Sequence, residues 1–382
     1  MRKWKQIGSC CLAAVLAVSG PATTVWAGSP EFARTAEEWA KLKDNTMEYG
    51  ELAGLIHEYN ATVKKNQLDI SDKKKDDRVT KDEYAQYYRD AANDARSSIS
   101  GDDPVSDAGN AVKARQAEEQ ADKNVEDLGV DQLTYDQEEA NLVASAQSNM
   151  ISYFEQQYEL ESAKDSLELL EANYQSALTK KSAGMATQID VLSAQENVQN
   201  TQTSIGKLTA SIEETRQKLC IMLGWKYNDT PVIQAIPAVD MEHINAMDLE
   251  KDKAAALQNN YTLKINKRKL ENATADITKE TLKRTIANNE QNINTDMVKC
   301  YQAVLQAKAA NDQAVLEYNL ESKNMETADR KYQVGQISRL DYQKQKNAYN
   351  TKQIATKTAE LALFQAVQAY DNGVSGLASA GG

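Results

Sequence analysis

Apolar residues along this chain recur at alternating intervals of three and four, the pattern of an amphipathic helix that buries one stripe of its surface. The pattern runs from about residue 118 to 180, resumes after 184 and continues to Leu223. It returns over about 246–332 and again from Ser338 to Tyr370. The chain is therefore predicted to form two long pairs of helices, each pair broken once.

The most regular positions are those of a coiled-coil seam. On the helix after residue 184, five apolar residues keep the rhythm of three and four. These are Ile205, Leu208, Ile212, Leu219 and Met222. In the last helix alanine recurs every seven residues, and small side chains in such a stripe let two helices approach closely. The alanines are Ala348, Ala355, Ala362 and Ala369. The sequence predicts an all-α fold of long antiparallel coiled-coil hairpins.

Composition supports this prediction. Proline occurs only at 21, 30, 104, 231 and 237, so two long stretches contain none. Aromatic residues make up 6% of the chain, which favours a thin seam between helices over a thick core.

A seven-residue pattern occurs twice, at the break in each helical pair. The matched residues are Gly184, Thr187 and Asp190 in the first copy and Gly335, Ser338 and Asp341 in the second. The copies are offset by 151 residues. Glycine accepts the left-handed backbone that ends one helix, the hydroxyl caps the next helix, and the acid lies at its third position. The pattern predicts two tandem helical hairpins related by approximate symmetry.

These boundaries divide the chain into six segments. They are a signal peptide over 1–27, an N-terminal helix with a charged, poorly ordered segment over 28–117, a first hairpin over 118–224, a linker over 225–245, a second hairpin over 246–373 and a flexible tail over 374–382. The first helix is expected over 34–66, and the tail is expected to be flexible because it is rich in Gly, Ala and Ser.

The N-terminus has the features of an export signal. Arg2, Lys3 and Lys5 precede an apolar run over 10–18, and a small-x-small cleavage site ends at Ala27. Its removal takes away three basic and no acidic residues, which moves the net charge from −12 to about −15. Such a charge argues against nucleic acid as a partner. No later stretch approaches the ~18 apolar residues of a membrane helix, so no membrane-spanning helix is expected.

Signatures of catalysis are missing from the sequence. The two histidines, His57 and His243, lie in unrelated segments and are expected at the surface. No Gly-rich phosphate loop, nucleophile elbow or metal-spaced Cys/His cluster occurs. We therefore expect neither an enzyme nor a bound metal or cofactor.

With two such turns inside long helices, the chain resembles the TolC-like outer-membrane efflux family. The first copy offers Gly184, Thr187, Asp190-Val191-Leu192 and a closing Leu223-Gly224. The second offers Tyr332, Gly335, Ser338, Leu340-Asp341 and the alanine ladder. Lys181 stands where the family has an aromatic residue, and Tyr342 and Gln345 stand where it has Val and Ala. The resemblance covers roughly 120–224 and 246–373.

This resemblance implies a homotrimer whose hairpins form a tunnel in the periplasm. It also implies that the hairpin tips face the inner-membrane pump and its periplasmic adaptor. The tip residues would be Gly184, Thr187, Asp190, Gly335, Ser338 and Asp341. The expected localisation is the cell envelope, periplasmic or extracellular, with association with the outer membrane left open.

One feature departs from the family, whose members insert membrane strands of about 9–11 alternating residues into each repeat. The corresponding segments here are roughly 67–117 and 275–295, and neither alternates apolar with polar residues. We therefore predict no membrane β-barrel, and expect the second segment to continue as helix or as a tight helical turn.

Two cysteines remain after export, Cys220 and Cys300. Cys220 lies 36 residues beyond Gly184, and Cys300 lies 35 before Gly335. Equal heights in adjacent hairpins permit a disulfide, and the alternative is two small buried apolar side chains.

Three functions stay open at this stage. The leading hypothesis is a TolC-like export component that forms or scaffolds a helical conduit. The second is an exported coiled-coil structural or tethering protein without channel activity. The third is an outer-membrane channel whose strands the sequence pattern does not show.

Overall fold

The computed structural model describes residues 34–381, which divide into two units, the first ending at Asp44 and the second beginning at Asn45. The signal peptide predicted over 1–27 lies outside the described residues. In the described part of the first unit, residues 34–44, helix α1 (Ala36–Leu42) begins at a capping box formed by Thr35 and Glu38.

The second unit is built almost entirely of helices. Its elements are β1 (Thr46–Met47), α2 (Leu52–Tyr59), α3 (Ala61–Lys75), α4 (Lys81–Ser97), α5 (Pro104–Asp122), α6 (Leu128–Ser182), α7 (Gln188–Met222), β2 (Val232–Ile233), α8 (Met241–Ala246), α9 (Leu249–Asn259), α10 (Tyr261–Asn272), α11 (Asp276–Gln333) and α12 (Arg339–Asn372). A 3₁₀ turn, Tyr49–Glu51, precedes α2. The single helix expected over 34–66 is therefore wrong.

Four long helices form two antiparallel hairpins, as the periodicity predicts. Helix α6 pairs with α7, and α11 pairs with α12. The hairpins meet through α6 and α12, which places the four helices in the order α7, α6, α12, α11. We call the turns between paired helices the tips and the opposite end the base. The first hairpin begins at Leu128 and the second at Asp276, later than the predicted starts at 118 and 246.

The base holds the short helices and most of the core. Helices α2 and α3 pack on α6, and α9 and α10 pack on α11. Strands β1 and β2 pair in parallel. Buried residues of the second half form one cluster with the chain's C-terminal segment, which we call the base cluster. It comprises Ile244, Ala256, Leu263, Ile293, Met297, Val304, Leu363, Tyr370, Ala378 and Ala380.

The charged segment expected to be poorly ordered is helical. Thr80 and Glu83 form a capping box before α4, and the Asp103 carboxylate caps α5 directly before Pro104. The two helices pair through buried alanines, which bury too little apolar surface to produce a visible pattern in the sequence. These are Ala85, Ala92, Ala114 and Ala121. Residues 276–295 continue within α11, as expected.

The tail expected to be flexible is packed at the base. After α12 the chain makes a short turn of π type, Gly373–Leu377, with Gly376 at a φ of 124°. The Ala378 carbonyl accepts a hydrogen bond from Asn260 Nδ2 at 2.8 Å, and the Ala380 carbonyl accepts one from Asn289 Nδ2 at 2.6 Å. Buried asparagines on distant helices therefore fix a segment whose own composition favours disorder.

Candidate functional site at the hairpin tips

The first tip is a left-handed turn closed by local hydrogen bonds. Helix α6 ends at Ser182, and Gly184 adopts a φ of 71°. The Met185 N–H donates to the Lys180 carbonyl at 2.8 Å, which satisfies one of the last carbonyls of the helix. A Cβ at Gly184 would have no atom within 4 Å. Glycine is required here by its backbone conformation and not by crowding.

A reciprocal capping box starts the returning helix. The Thr187 hydroxyl accepts from the Asp190 N–H at 3.2 Å, and Asp190 Oδ2 accepts from the Thr187 N–H at 2.7 Å. The Thr187 hydroxyl also donates to Asp190 Oδ2 at 2.8 Å. The backbone hydrogen bond from Thr187, followed by the one from its hydroxyl, lowers the pKa of the Asp190 carboxyl. Asp190 therefore stays ionised at the positive end of the helix dipole.

The second tip repeats the turn with a simpler cap. Gly335 has a φ of 72°, and Gln336 N–H donates to the Lys331 carbonyl at 2.8 Å. Ser338 Oγ accepts from the Asp341 N–H at 3.1 Å and donates to Asp341 Oδ2 at 2.7 Å. The six tip residues thus occupy equivalent turns, three in each hairpin.

Tyr342, a departure from the family pattern, braces the second tip. Its ring stacks on Tyr332 with centroids 4.5 Å apart and an interplanar angle of 15°. Its hydroxyl donates to Asp329 Oδ1 at 2.8 Å, and this hydrogen bond raises the pKa of the Tyr342 phenol. The stack clamps the last turn of α11 to the first turn of α12.

Large apolar side chains surround both turns and face solvent. At the first tip, Met185 is 74% exposed and Ile189 is 73% exposed. At the second tip, Val334 is 69% exposed. Tyr332 and Leu192 are also exposed. Sequence reasoning missed Met185, Ile189 and Val334 because it followed the seam, whereas Leu192 and Tyr332 were already named in the family pattern. The signal that could have found them is apolar residues directly beside the turn glycines and outside the seam rhythm.

A groove of about 670 Å³ lies beside the tips, between the first hairpin and the start of α12. Its lining combines carboxylates with an arginine and apolar side chains. The lining residues include Glu168, Glu171, Tyr174, Val198, Arg339 and Leu340. Lower in the same region Lys346 contacts Glu168 at 3.4 Å, so the two hairpins are tied together near the groove.

The histidines and cysteines are dispersed and do not form one site. His57 contacts Glu139 at 2.8 Å, His243 contacts Asp371 at 2.9 Å, and both imidazoles are exposed as expected. Within residues 34–381, no group of three or more His, Cys, Asp or Glu side chains could hold a metal ion.

Both predicted disulfide partners are free thiols in the structure, so the permitted bridge is not formed. Cys220 is buried beside Arg216 and the Asp229 carbonyl, and Cys300 packs against the base cluster. Burial raises the pKa of both thiols, which keeps them protonated and poorly nucleophilic.

None of the helices described is both long enough and apolar enough to span a membrane.

Comparison with known proteins gives one consistent result. No family model matches the chain, and no curated protein sequence is detectably similar to it. Solved structures do match. The outer-membrane channel OprN superposes with a TM-score of 0.55 at 13% identity, over 88% of this chain and 92% of that chain. The Campylobacter jejuni CmeC outer membrane channel gives 0.52 at 10% identity, over 88% and 87%. The Vibrio cholerae outer membrane protein VceC gives 0.51 at 9% identity, over 86% and 96%.

At sequence identities this low, the superpositions establish the fold and leave the activity open. The paired hairpins, their repeated glycine turns and these superpositions together show that the chain has the TolC-like fold of outer-membrane efflux channels.

Proposed function

We propose that this protein is the conduit component of a TolC-like export system in the cell envelope, acting as a homotrimer. Its role is to enclose a path for a substrate, without chemistry of its own. The observation that carries the proposal is the complementary outer faces of the two edge helices, α7 and α11. Contact between the α11 face of one copy and the α7 face of the next would close a ring of copies.

The outer face of α11 presents large apolar side chains to solvent. Leu316 is 70% exposed and Leu320 is 62% exposed. Leu305 lies on the same face and is also exposed. Exposed leucines at helical spacing, on a helix whose surface is otherwise polar, indicate a face that packs against a partner.

The outer face of α7 offers small residues at a matching height. Thr203, Gly206 and Ala210 are exposed along one stripe. Glycine inside a helix costs about 1 kcal/mol relative to alanine. A Cβ at Gly206 would meet nothing within 4 Å, so packing within the chain gives no reason for the glycine. Close approach of a helix from another copy supplies one.

The two faces lie at equal distances from the tips. Thr203 is 19 residues beyond Gly184, and Leu316 is 19 residues before Gly335. A contact between α11 of one copy and α7 of the next is head-to-tail, and such a contact closes into a ring when the rotation permits. The TolC-like resemblance indicates three copies.

The tips are the second part of the proposal. They combine exposed apolar side chains with turns held rigid by capping, and a groove lies beside them. Rigid, exposed apolar side chains beside a groove of mixed charge suit a protein partner, because little conformational entropy is lost when they bind. We propose that Gly184, Thr187, Asp190, Gly335, Ser338 and Asp341 shape this docking end for the periplasmic adaptor of an inner-membrane pump.

The mass of the mature chain in solution tests the ring. Light scattering after size exclusion is expected to give a trimer, and Gly206→Leu is expected to give monomer because the added side chain blocks the approach. Lys207→Leu is the matched control, since it places the same leucine side chain at the adjacent exposed position on a different side of α7. A wild-type protein that is monomeric at micromolar concentration would remove the conduit and favour the tethering protein.

Binding of a purified periplasmic adaptor tests the docking end. Met185→Asp and Val334→Asp are expected to weaken binding at least tenfold without changing the mass of the trimer. Equal binding by wild type and both variants would contradict docking at the tips.

A further inference from the structure

The α4–α5 hairpin is present in the first repeat alone. It occupies residues 81–122 between α3 and α6, whereas Ala273–Ala275 alone connect α10 to α11 in the second repeat. We propose that this hairpin is a second contact between copies, in which the outer face of α5 packs on the outer face of α4 of the next copy. The proposal rests on the head-to-tail ring proposed above.

The base of the hairpin is fixed by a cluster of charges and phenols. Lys73 Nζ on α3 contacts both Asp69 and Asp131 at 2.7 Å. The Tyr84 hydroxyl of α4 donates to the same Asp131 carboxylate, which lies on α6. Tyr135 donates to Asp69 at 2.6 Å. The hairpin therefore leaves the base in a set direction, as a docking element requires.

The contact between the two helices of the hairpin uses their inner faces. Buried alanines from both helices meet there. Ion pairs join Arg96 to Glu118 and Arg89 to Asp122. The side chains on the outer faces are thus not needed to hold the hairpin together.

The outer face of α5 is apolar and open. Val105 is 83% exposed and Val112 is 44% exposed. Ala108 and Gly109 lie between them and are also exposed. Gly109 weakens its helix relative to alanine, and a Cβ there would meet nothing within 4 Å. An exposed glycine within a helix, with open space where a Cβ would lie, also marks the α7 face at Gly206.

Charge complementarity identifies the occupant as a second copy. Lys113 and Arg115 flank the α5 face, and both are exposed. The outer face of α4 carries Asp90 and Asp94, and the exposed Ala91 lies at the edge of this face. Because Val112 is 11 residues from Gly101 at the hairpin turn and Ala91 is 10, the two faces match in height.

An anionic lipid surface is disfavoured as the occupant. Residues 81–122 contain ten acidic and five basic residues, a net charge of −5. A surface of like charge would repel the hairpin. Each hairpin instead presents one basic-flanked and one acidic face, which suits head-to-tail contact between identical units.

Cross-linking between single-cysteine variants tests this contact. The background is the full mature chain with Cys220→Ala and Cys300→Ala, checked for trimer mass and helical content. Ala91→Cys and Val112→Cys chains are expressed together and treated with a short bis-maleimide. We expect a cross-linked dimer in the mixture and none from either variant alone. Ala111→Cys replaces Val112→Cys in the matched control, because residue 111 is exposed but lies on a different side of α5.

A second pair separates this inference from the ring itself. Thr203→Cys and Leu316→Cys report the α7–α11 contact in the same assay. Cross-links at that pair without any at Ala91 and Val112 would overturn the hairpin contact and leave the ring standing. Absence of both would overturn both.

Charge exchange gives an independent readout on the assembled protein. Lys113→Asp is expected to lower the cross-link yield roughly fivefold, because it puts a like charge beside Asp90. Adding Asp90→Lys is expected to restore the yield. An unchanged yield in Lys113→Asp would contradict the proposed pairing of the two faces.

Discussion

Asn60 and Asn260 hold the same structural position in the two halves of the chain. Asn60 Oδ1 caps α3 by accepting from the Thr62 N–H at 2.9 Å, and its Nδ2 donates to the Met222 carbonyl at 2.9 Å. Asn260 Oδ1 caps α10 by accepting from the Leu263 N–H at 3.0 Å, and its Nδ2 donates to the Ala378 carbonyl. Each asparagine thus ties a break between two short helices to the chain at the end of a hairpin, Met222 being the last residue of α7 and Ala378 lying just beyond α12.

Two glycines extend this equivalence. Gly224 and Gly376 both have positive φ, of 92° and 124°. A Cβ at Gly224 would lie 2.3 Å from Tyr59 Cβ, and one at Gly376 would lie 2.7 Å from the Asn259 carbonyl oxygen. Tyr59 and Asn259 are the residues directly before the two asparagines. The internal repeat therefore includes the base as well as the tips, and the C-terminal segment is the second copy of the first hairpin's closing turn.

The first prediction concerns Asn260, which is 1% exposed. Asn260→Ala removes a helix cap and leaves the buried Ala378 carbonyl unpaired, so the free energy of unfolding should fall by roughly 2–3 kcal/mol. Urea denaturation measures this. Asn197→Ala, at an exposed position on α7, should leave stability within about 0.5 kcal/mol. Equal effects of the two substitutions would show that the tail is not held by Asn260.

A second prediction separates backbone strain from crowding at glycine. Gly184→Ala introduces strain alone, about 1 kcal/mol, because the space around it is open. Gly224→Ala adds a clash with Tyr59 to the same strain and should cost roughly 2–4 kcal/mol. Thermal unfolding of both variants measures the difference. A larger loss for Gly184→Ala would mean that the tip carries contacts absent from the single chain.

The third prediction concerns pH. Hydrogen bonds from Thr187 hold the pKa of Asp190 below its unfolded value, so Asp190 adds stability above the unfolded pKa. That stability is lost as pH falls through the lower, folded-state pKa. Asp190→Asn should therefore flatten this part of the dependence of unfolding free energy on pH between about 5 and 2. A curve parallel to wild type over that range would contradict the capping role.

A fourth prediction addresses the charged cluster beneath the α4–α5 hairpin. Lys73→Met leaves Asp69 and Asp131 without their shared cation and should cost roughly 2 kcal/mol, between the values for exposed and buried pairs. Hydrogen exchange should also speed up in α4, since Tyr84 is bound to Asp131. Lys65→Met, at an exposed position on α3, is the control. Unchanged exchange in α4 would show that the cluster does not orient the hairpin.

The tips and the helical fold could be predicted because their signals are local. Gly184 and Thr187 set the first turn through bonds to residues three to five positions away, and Gly335 and Ser338 do the same in the second. The seam of α7 needed only its periodicity, whereas Ala355, Ala362 and Ala369 of the predicted alanine ladder are exposed in the structure. The apolar residues beside the tips carried no such pattern, and the role of the tips in docking stays a prediction.

The sequence by itself determined the helices, the two turns and their repetition, since each depends on residues within a few positions along the chain. Tertiary structure decided which helices are neighbours, that buried alanines and two ion pairs join α4 to α5, and that the tail is packed. In the tail, a Gly- and Ser-rich segment has no local preference for order. Its stability comes from Asn260 and Asn289, more than 90 residues away.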